Sequence, residues 1–151
     1  MGWLGFNQAR NTSGTQGQYL LDCARYRKAL EKYLLEGELL GELPLKIGAM
    51  AAGTNSTAAV TPGALPAIMS AVWRAPDGHV ALLLANVTDH ERTVEYEFAG
   101  ARWGFNETSG KLQLTRVRPG KQENLGQEVV TFQRKELLAP LEIIAIEIAP
   151  R

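Results

Sequence analysis

Few side chains in this chain are of a type and spacing that could do chemistry. Its two histidines, His79 and His90, each fall at the end of a turn signal. A solvated imidazole is the ordinary outcome there, and a metal site needs three or four convergent ligands. Cys23, the single cysteine, falls on the apolar face of a helical pattern, where the surroundings raise a thiol pKa rather than lower it. Glycoside hydrolysis requires two carboxyl groups across a sugar cleft. Glu36, Glu38 and Glu42 crowd one helix end, however, while Glu95 and Glu97 share one strand face, and both groups read as solvated surface. The glycine-rich pieces Gly2 to Gly5 and Gly14 to Gly17 lack the lysine and the strand-to-helix setting of a phosphate loop. Gly53-Thr54-Asn55-Ser56-Thr57 lacks the strained elbow of a hydrolase serine. The expectation is no catalytic residue, no metal site and no cofactor. The remaining chemistry is stacking on sugar rings, for which Trp73, Tyr96, Trp103 and Phe105 supply planes. Trp73 lies inside a hairpin and is assigned to the core. Trp103-Gly104-Phe105-Asn106 is therefore the candidate carbohydrate-binding surface, with Trp103 and Phe105 stacking and Asn106 donating or accepting hydrogen bonds.

These groups need a scaffold, and 151 residues suit one domain with a real core. The hydrophobic fraction of 45% and charged fraction of 21% are those of a globular chain, and sixteen basic residues cancel sixteen acidic ones. No field of one sign points to nucleic acid or to an anionic membrane surface. No apolar run reaches the roughly 20 residues that cross a bilayer, and the opening MGWLGFNQARNTSGTQGQ does not read as a signal peptide. Localisation stays open. Four of the six asparagines, Asn11, Asn55, Asn86 and Asn106, open N-x-S/T triplets. They read as turn residues whose side chains bond local backbone rather than as glycosylation sites.

The strongest local pattern is Ile68 to Phe98. Two apolar runs flank Pro76-Asp77-Gly78, which suits a tight reversal. In the second run Val80 to Ala85 is apolar on both faces, as in a strand covered on both sides. Val94, Tyr96 and Phe98 then alternate with Glu95 and Glu97, giving a third strand with one buried face. Upstream, Tyr19, Cys23, Tyr26, Leu30, Tyr33 and Leu34 recur at spacings of three and four, predicting an amphipathic helix from about Gln16 to Glu36. It ends at Gly37 or Gly41. A first short strand is expected over Leu45 to Met50, then a long loop over residues 51 to 66 with a short strand near Ala58 to Thr61. Arg102 to Phe105 reads as a short strand or turn edge. Lys111 to Arg118 is a strand with Leu112, Leu114 and Arg116 on one face; Val129 to Arg134 is another, and Ile144, Ile146 and Ile148 share one face of the last. The fold expected is mainly β: an antiparallel β-sandwich of about six to eight strands preceded by one amphipathic helix. A partly open barrel is the alternative.

The order of three pieces carries a family resemblance. The helix has tyrosines at Tyr19 and Tyr26 and closes on Leu35-Glu36-Gly37-Glu38-Leu39-Leu40. Val72 to Asp89 reads V-W-R-x-P-D-G-x-V-x-L-x-L-A-N-V-T-D, and Leu138 to Ile148 reads L-x-P-L-E-I-x-x-I-E-I. This order resembles the C-terminal ends of large bacterial glycoside-hydrolase-like proteins, in which a (β/α)8 barrel ends in its last helix and passes into a small antiparallel sandwich. The resemblance implies a division into 1–43, the end of a barrel, and 44–151, an accessory sandwich. The catalytic carboxylates of such enzymes lie earlier in the barrel, so none can be carried over, and one helix cannot close a barrel that needs every strand. The expectation is a non-catalytic structural domain that packs on a (β/α)8 barrel, or on a second copy of itself, through residues 16–40. The alternative is a carbohydrate-binding module.

Overall fold

The protein is described by a computed structural model over residues 15–47, 66–106 and 110–150. Among the described residues two helices, α1 (Thr15–Ala29) and α2 (Glu31–Leu34), precede nine strands. The strands are β1 (Glu38–Gly41), β2 (Leu45–Ile47), β3 (Ile68–Arg74), β4 (Val80–Asn86), β5 (Arg92–Ala99), β6 (Leu112–Arg118), β7 (Lys121–Glu128), β8 (Thr131–Leu138) and β9 (Ile143–Pro150). They form a six-stranded sheet in the order β1-β3-β4-β9-β6-β7 and a three-stranded sheet in the order β2-β5-β8, and every pairing is antiparallel. The chain folds as the expected β-sandwich.

The β3–β4 hairpin follows from its turn chemistry. Gly78 adopts a φ of 83°, a conformation a side chain would strain, its N–H donates to the Ala75 carbonyl at 3.0 Å, and the Asp77 carboxylate accepts the His79 N–H at 3.0 Å. From that turn β4 runs between β3 and β9. Its inward side chains, Val80, Leu82 and Leu84, meet Ile144, Ile146 and Ile148 of β9 across the register and pack on Val94, Phe98, Phe132 and Leu138 of the smaller sheet. Phe98 centres the aromatic part of this core, 5.1 Å from Phe132, 6.2 Å from Phe105 and 6.4 Å from Trp103 between ring centroids.

The opposite face of the same strands is also covered. Ala81 of β4, Ala145 of β9 and Ala75 present short side chains, and Leu30 and Tyr33 fill the space above them, with Tyr26, Leu34, Trp73 and Leu83 at the margin. Small residues under large ones let the helical segment sit close to the sheet. The expected continuous helix is broken at Leu30, whose φ of −111° and ψ of 24° are not helical. The break lets α2 lie on the sheet, while on α1 Tyr19, Cys23 and Tyr26 are half-buried and Leu20 and Leu21 are exposed.

Several expectations shift. β2 ends at Ile47, and residues 48–65, with the anticipated loop and its short strand, lie outside the described residues. Strands β1 and β7 were not anticipated. β1 pairs with β3, so the larger sheet begins at Glu38. β7 is Lys-Gln-Glu-Asn-Leu-Gly-Gln-Glu, a polar edge with no buried face to betray it. The strand expected over Val129 to Arg134 runs instead from Thr131 to Leu138. Arg102–Phe105 is not a strand: Gly100–Trp103 forms a 3-10 turn that Gly104 ends with a φ of 90°.

Two substitutions test this packing by urea unfolding. Leu82→Ala, at the fully buried centre of β4, is expected to cost about 2–5 kcal/mol. Gly37→Ala would push a methyl onto the carbonyl oxygens of Tyr33 and Arg74 and is expected to cost about 1–3 kcal/mol.

Candidate functional site

The residues singled out as a sugar platform separate. Trp103 and Phe105 are 2% and 6% exposed and stand in the sandwich core, while Asn106 is exposed. A ring must show its face to solvent to stack on a sugar, so the expected surface position of both aromatics is corrected to a buried one. The cause is the 3-10 turn, which folds Trp103 inward over Phe98, and Arg74, whose guanidinium donates to the Trp103 carbonyl at 2.7 Å. Trp73, expected in the core, stands half-buried on the outer face against the helix cluster instead. His90 lies exposed beside Asp89, at 3.5 Å.

Three polar constellations emerge that the sequence reading did not assemble. The first joins α2 to the sheet. The Tyr33 hydroxyl donates to Glu147 Oε2 at 2.5 Å, and Lys32 Nζ reaches Glu147 and Asp77, each at 3.0 Å, and His79 Nδ1 at 3.2 Å. Burial pushes the Glu147 carboxyl up, but the Tyr33 hydroxyl and the Lys32 ammonium outweigh it, and its pKa falls below the usual carboxylate range. For Asp77 burial again raises, and the His79 N–H and Lys32 prevail to lower it. Desolvation lowers Lys32, yet its two carboxylate partners leave it raised. Burial, then Glu147, drives the Tyr33 phenol strongly up. This cluster fastens the helix end by charge as well as by packing.

The second lies between the sheets. Arg116, on the inward register of β6, donates to Glu136 Oε2 at 2.5 Å; Arg134 Nε meets Glu136 Oε1 at 3.4 Å, and its Nη1 lies 3.6 Å from Glu128. Glu136 is 6% exposed, and a charge that deep requires such pairing. The Tyr96 hydroxyl, raised by burial and then by Glu136, has no partner among the described residues, nor has Arg116 Nε. The sequence hint was Arg116 sharing the Leu112 and Leu114 face.

The third is a groove of about 480 Å3 on the outer face of the smaller sheet, bounded by the Leu43 to Lys46 segment and the Trp103 turn. Lys46, Glu95 and Lys135 line up across the three strands, and Glu97 pairs in register with Gln133. Lys135 Nζ lies 3.0 Å from Glu95, and the Gln133 amide donates to Glu97 at 2.9 Å. Arg102 lines the same groove with its guanidinium 4.7 Å above the Trp103 ring.

Asn86 accounts for one N-x-T triplet. Fully buried, it donates to the carbonyls of His90 at 2.7 Å and Ala139 at 2.9 Å and accepts from the Thr88 N–H and hydroxyl at 3.0 and 2.7 Å. It ties two loops together, as turn chemistry predicts. Asn11 and Asn55 lie outside the described residues.

No family profile and no curated protein sequence matches the chain. Among solved structures it is similar to a Bacillus halodurans protein assigned as an alpha-N-acetylgalactosaminidase. The TM-score is 0.45 at 18% identity, over 58% of this chain and 19% of that one. The chain thus spans about a fifth of that protein's length.

The first cluster sets the pH dependence. Glu147 and Asp77 have folded pKa values below their unfolded ones, so their contribution is present above about pH 4.5 and lost as pH falls through the lowered values. Lys32 and Tyr33 are raised, so theirs is present below about pH 10 and lost as pH climbs through the raised values. Urea unfolding across pH is expected to show a plateau between these limits. Tyr33→Phe, which deletes the hydrogen bond to Glu147, is expected to cost about 0.5–1.5 kcal/mol on that plateau.

Proposed function

We propose that the chain is a non-catalytic sandwich domain that supports a glycoside-hydrolase-like (β/α)8 barrel and is held to it through α1. The observation that carries this reading is the placement of the helices. Tyr26, Leu30, Tyr33 and Leu34 pack on the domain's own sheet, Tyr19 and Cys23 of the same stripe are half-buried, and Leu20 and Leu21, off that stripe, are 56% and 37% exposed. A helix that buries one stripe and shows leucines on another face is suited to a second surface. Leu35 and Leu39, just beyond the helix, are exposed as well.

The motif that carries the family resemblance serves the fold itself. Trp73 packs beside the helix, Arg74 holds the Trp103 carbonyl, Asp77 and Gly78 shape the hairpin, and Asn86 with Thr88 ties loops. Glu136, between the two sheets, and Glu147, on the outer face beneath α2, are each committed to cations. The neighbouring carboxylate in each case, Asp77 beside Glu147 and Glu128 beside Glu136, is held by the same cation rather than set across an open sugar cleft.

The purified chain is expected to turn over no aryl glycoside. With the barrel absent, its exposed helix face is expected to drive self-association that sedimentation equilibrium detects at high concentration. Leu20→Glu with Leu21→Glu is expected to weaken that association without lowering the melting temperature. Sustained glycoside turnover that tracks the protein through purification, or a strict monomer at every concentration, would contradict the proposal.

A further inference from the structure

We infer that the groove on the outer face of the three-stranded sheet is a binding site for an acidic oligosaccharide, with Arg102 and Lys46 receiving uronate carboxylates. The inference rests on the groove's own chemistry and not on the accessory-domain reading.

The cations are the first consideration. On this face Glu95 is engaged by Lys135 at 3.0 Å and Glu97 by Gln133 at 2.9 Å, and neither Lys46 nor Arg102 has an ion-pair partner among the described residues. Three cations, Lys46, Arg102 and Lys135, thus face two carboxylates, Glu95 and Glu97, and the groove keeps a positive excess with Lys46 and Arg102 at its margins. Arg102 is also oriented. Its guanidinium carbon lies 4.7 Å from the centroid of the buried Trp103 ring, within cation–π range. A guanidinium held there can donate two parallel hydrogen bonds to a carboxylate. The turn beneath is held in turn by Arg74 on the Trp103 carbonyl. The indole N–H of Trp103 itself has no acceptor among the described residues.

The rest of the floor distinguishes a sugar chain from an acidic peptide. The Lys135–Glu95 and Gln133–Glu97 pairs present donors and acceptors side by side, and a sugar hydroxyl is both donor and acceptor. Leu43, Pro44, Leu45, Tyr96, Ala99 and Trp103 line the groove beside these pairs, apolar surface that suits the C–H face of a sugar ring. A volume of about 480 Å3 falls within the usual range for small-ligand sites, about 300–1,000 Å3. An exposed groove that binds through surface cations implies modest and salt-sensitive affinity.

The test is calorimetric titration of the full chain at low salt with a galacturonate tetramer, its fully methyl-esterified form, a neutral glucose tetramer and hexaglutamate. The galacturonate tetramer is expected to bind with a Kd of about 0.1–1 mM and the ester about tenfold more weakly. Arg102→Ala and Lys46→Ala are each expected to weaken binding several-fold, and the pair to abolish it. Both side chains are on the surface, so unchanged melting temperatures would show that these variants fold. Lys121→Ala, at the far edge of the other sheet, is expected to bind like the parent chain. Equal binding of acid and ester, hexaglutamate as tight as the uronate, an unaffected double variant, or no heat from any sugar at about 10 mM would overturn the inference.

Discussion

Burial of the β4–β9 pair on both faces is the constraint on which the rest of this structure depends. A sandwich strand ordinarily shows one face to water, and the alternation of apolar and polar residues follows. Here Val80, Leu82 and Leu84 go into the sandwich while Ala81 and Leu83 of the same strand lie under helix, and Ile146 and Ala145 divide likewise in β9. Neither face could be left to solvent without exposing contiguous apolar surface. The larger sheet therefore needs the smaller sheet beneath it and the Leu30 to Leu34 segment above it.

The helix break follows from the same constraint. The outer face of the sheet is paved with alanine where α2 crosses it, so the chain must come close to make contact, and it does so by leaving helical geometry at Leu30. Lys32 and Tyr33 then engage Glu147, the one charged side chain on the outward register of β9. Packing and charge act at the same place, which is why the end of the helical segment is fixed, while Leu20 and Leu21 near its beginning stay exposed. Those exposed leucines are what make a neighbouring surface the natural reading for this region.

Legibility in the sequence varied with how much side-chain pattern each element required. The hairpin at Pro76-Asp77-Gly78, the double-faced β4, and the isoleucine alternation of β9 were readable because turn chemistry and burial leave strong marks. Strand β7 was not, since an edge of polar residues pairs through backbone alone. The aromatic assignments for Trp73 and Trp103 interchanged for a different reason. Local pattern says that a ring is near a turn, but only the tertiary position of Gly104 and Arg74 decides that Trp103 folds inward. The charged clusters were invisible for the same reason: Lys32 and Glu147, or Arg102 and Lys46, are distant in sequence and are brought together by strand order, which alternation does not encode.

Hydrogen exchange measured residue by residue tests the two-faced burial most directly. The account predicts that amides of Val80 to Leu84 and Ile144 to Ile148 are protected to the level of global unfolding. Leu30 and Leu34, whose N–H groups donate to Tyr26 and Leu30 carbonyls at 2.9 and 3.0 Å, should share most of that protection, and protection should decline toward Leu20. Free exchange of Leu30 and Leu34 beneath a fully protected sheet would contradict it, because the outer face would then not need its helical cover.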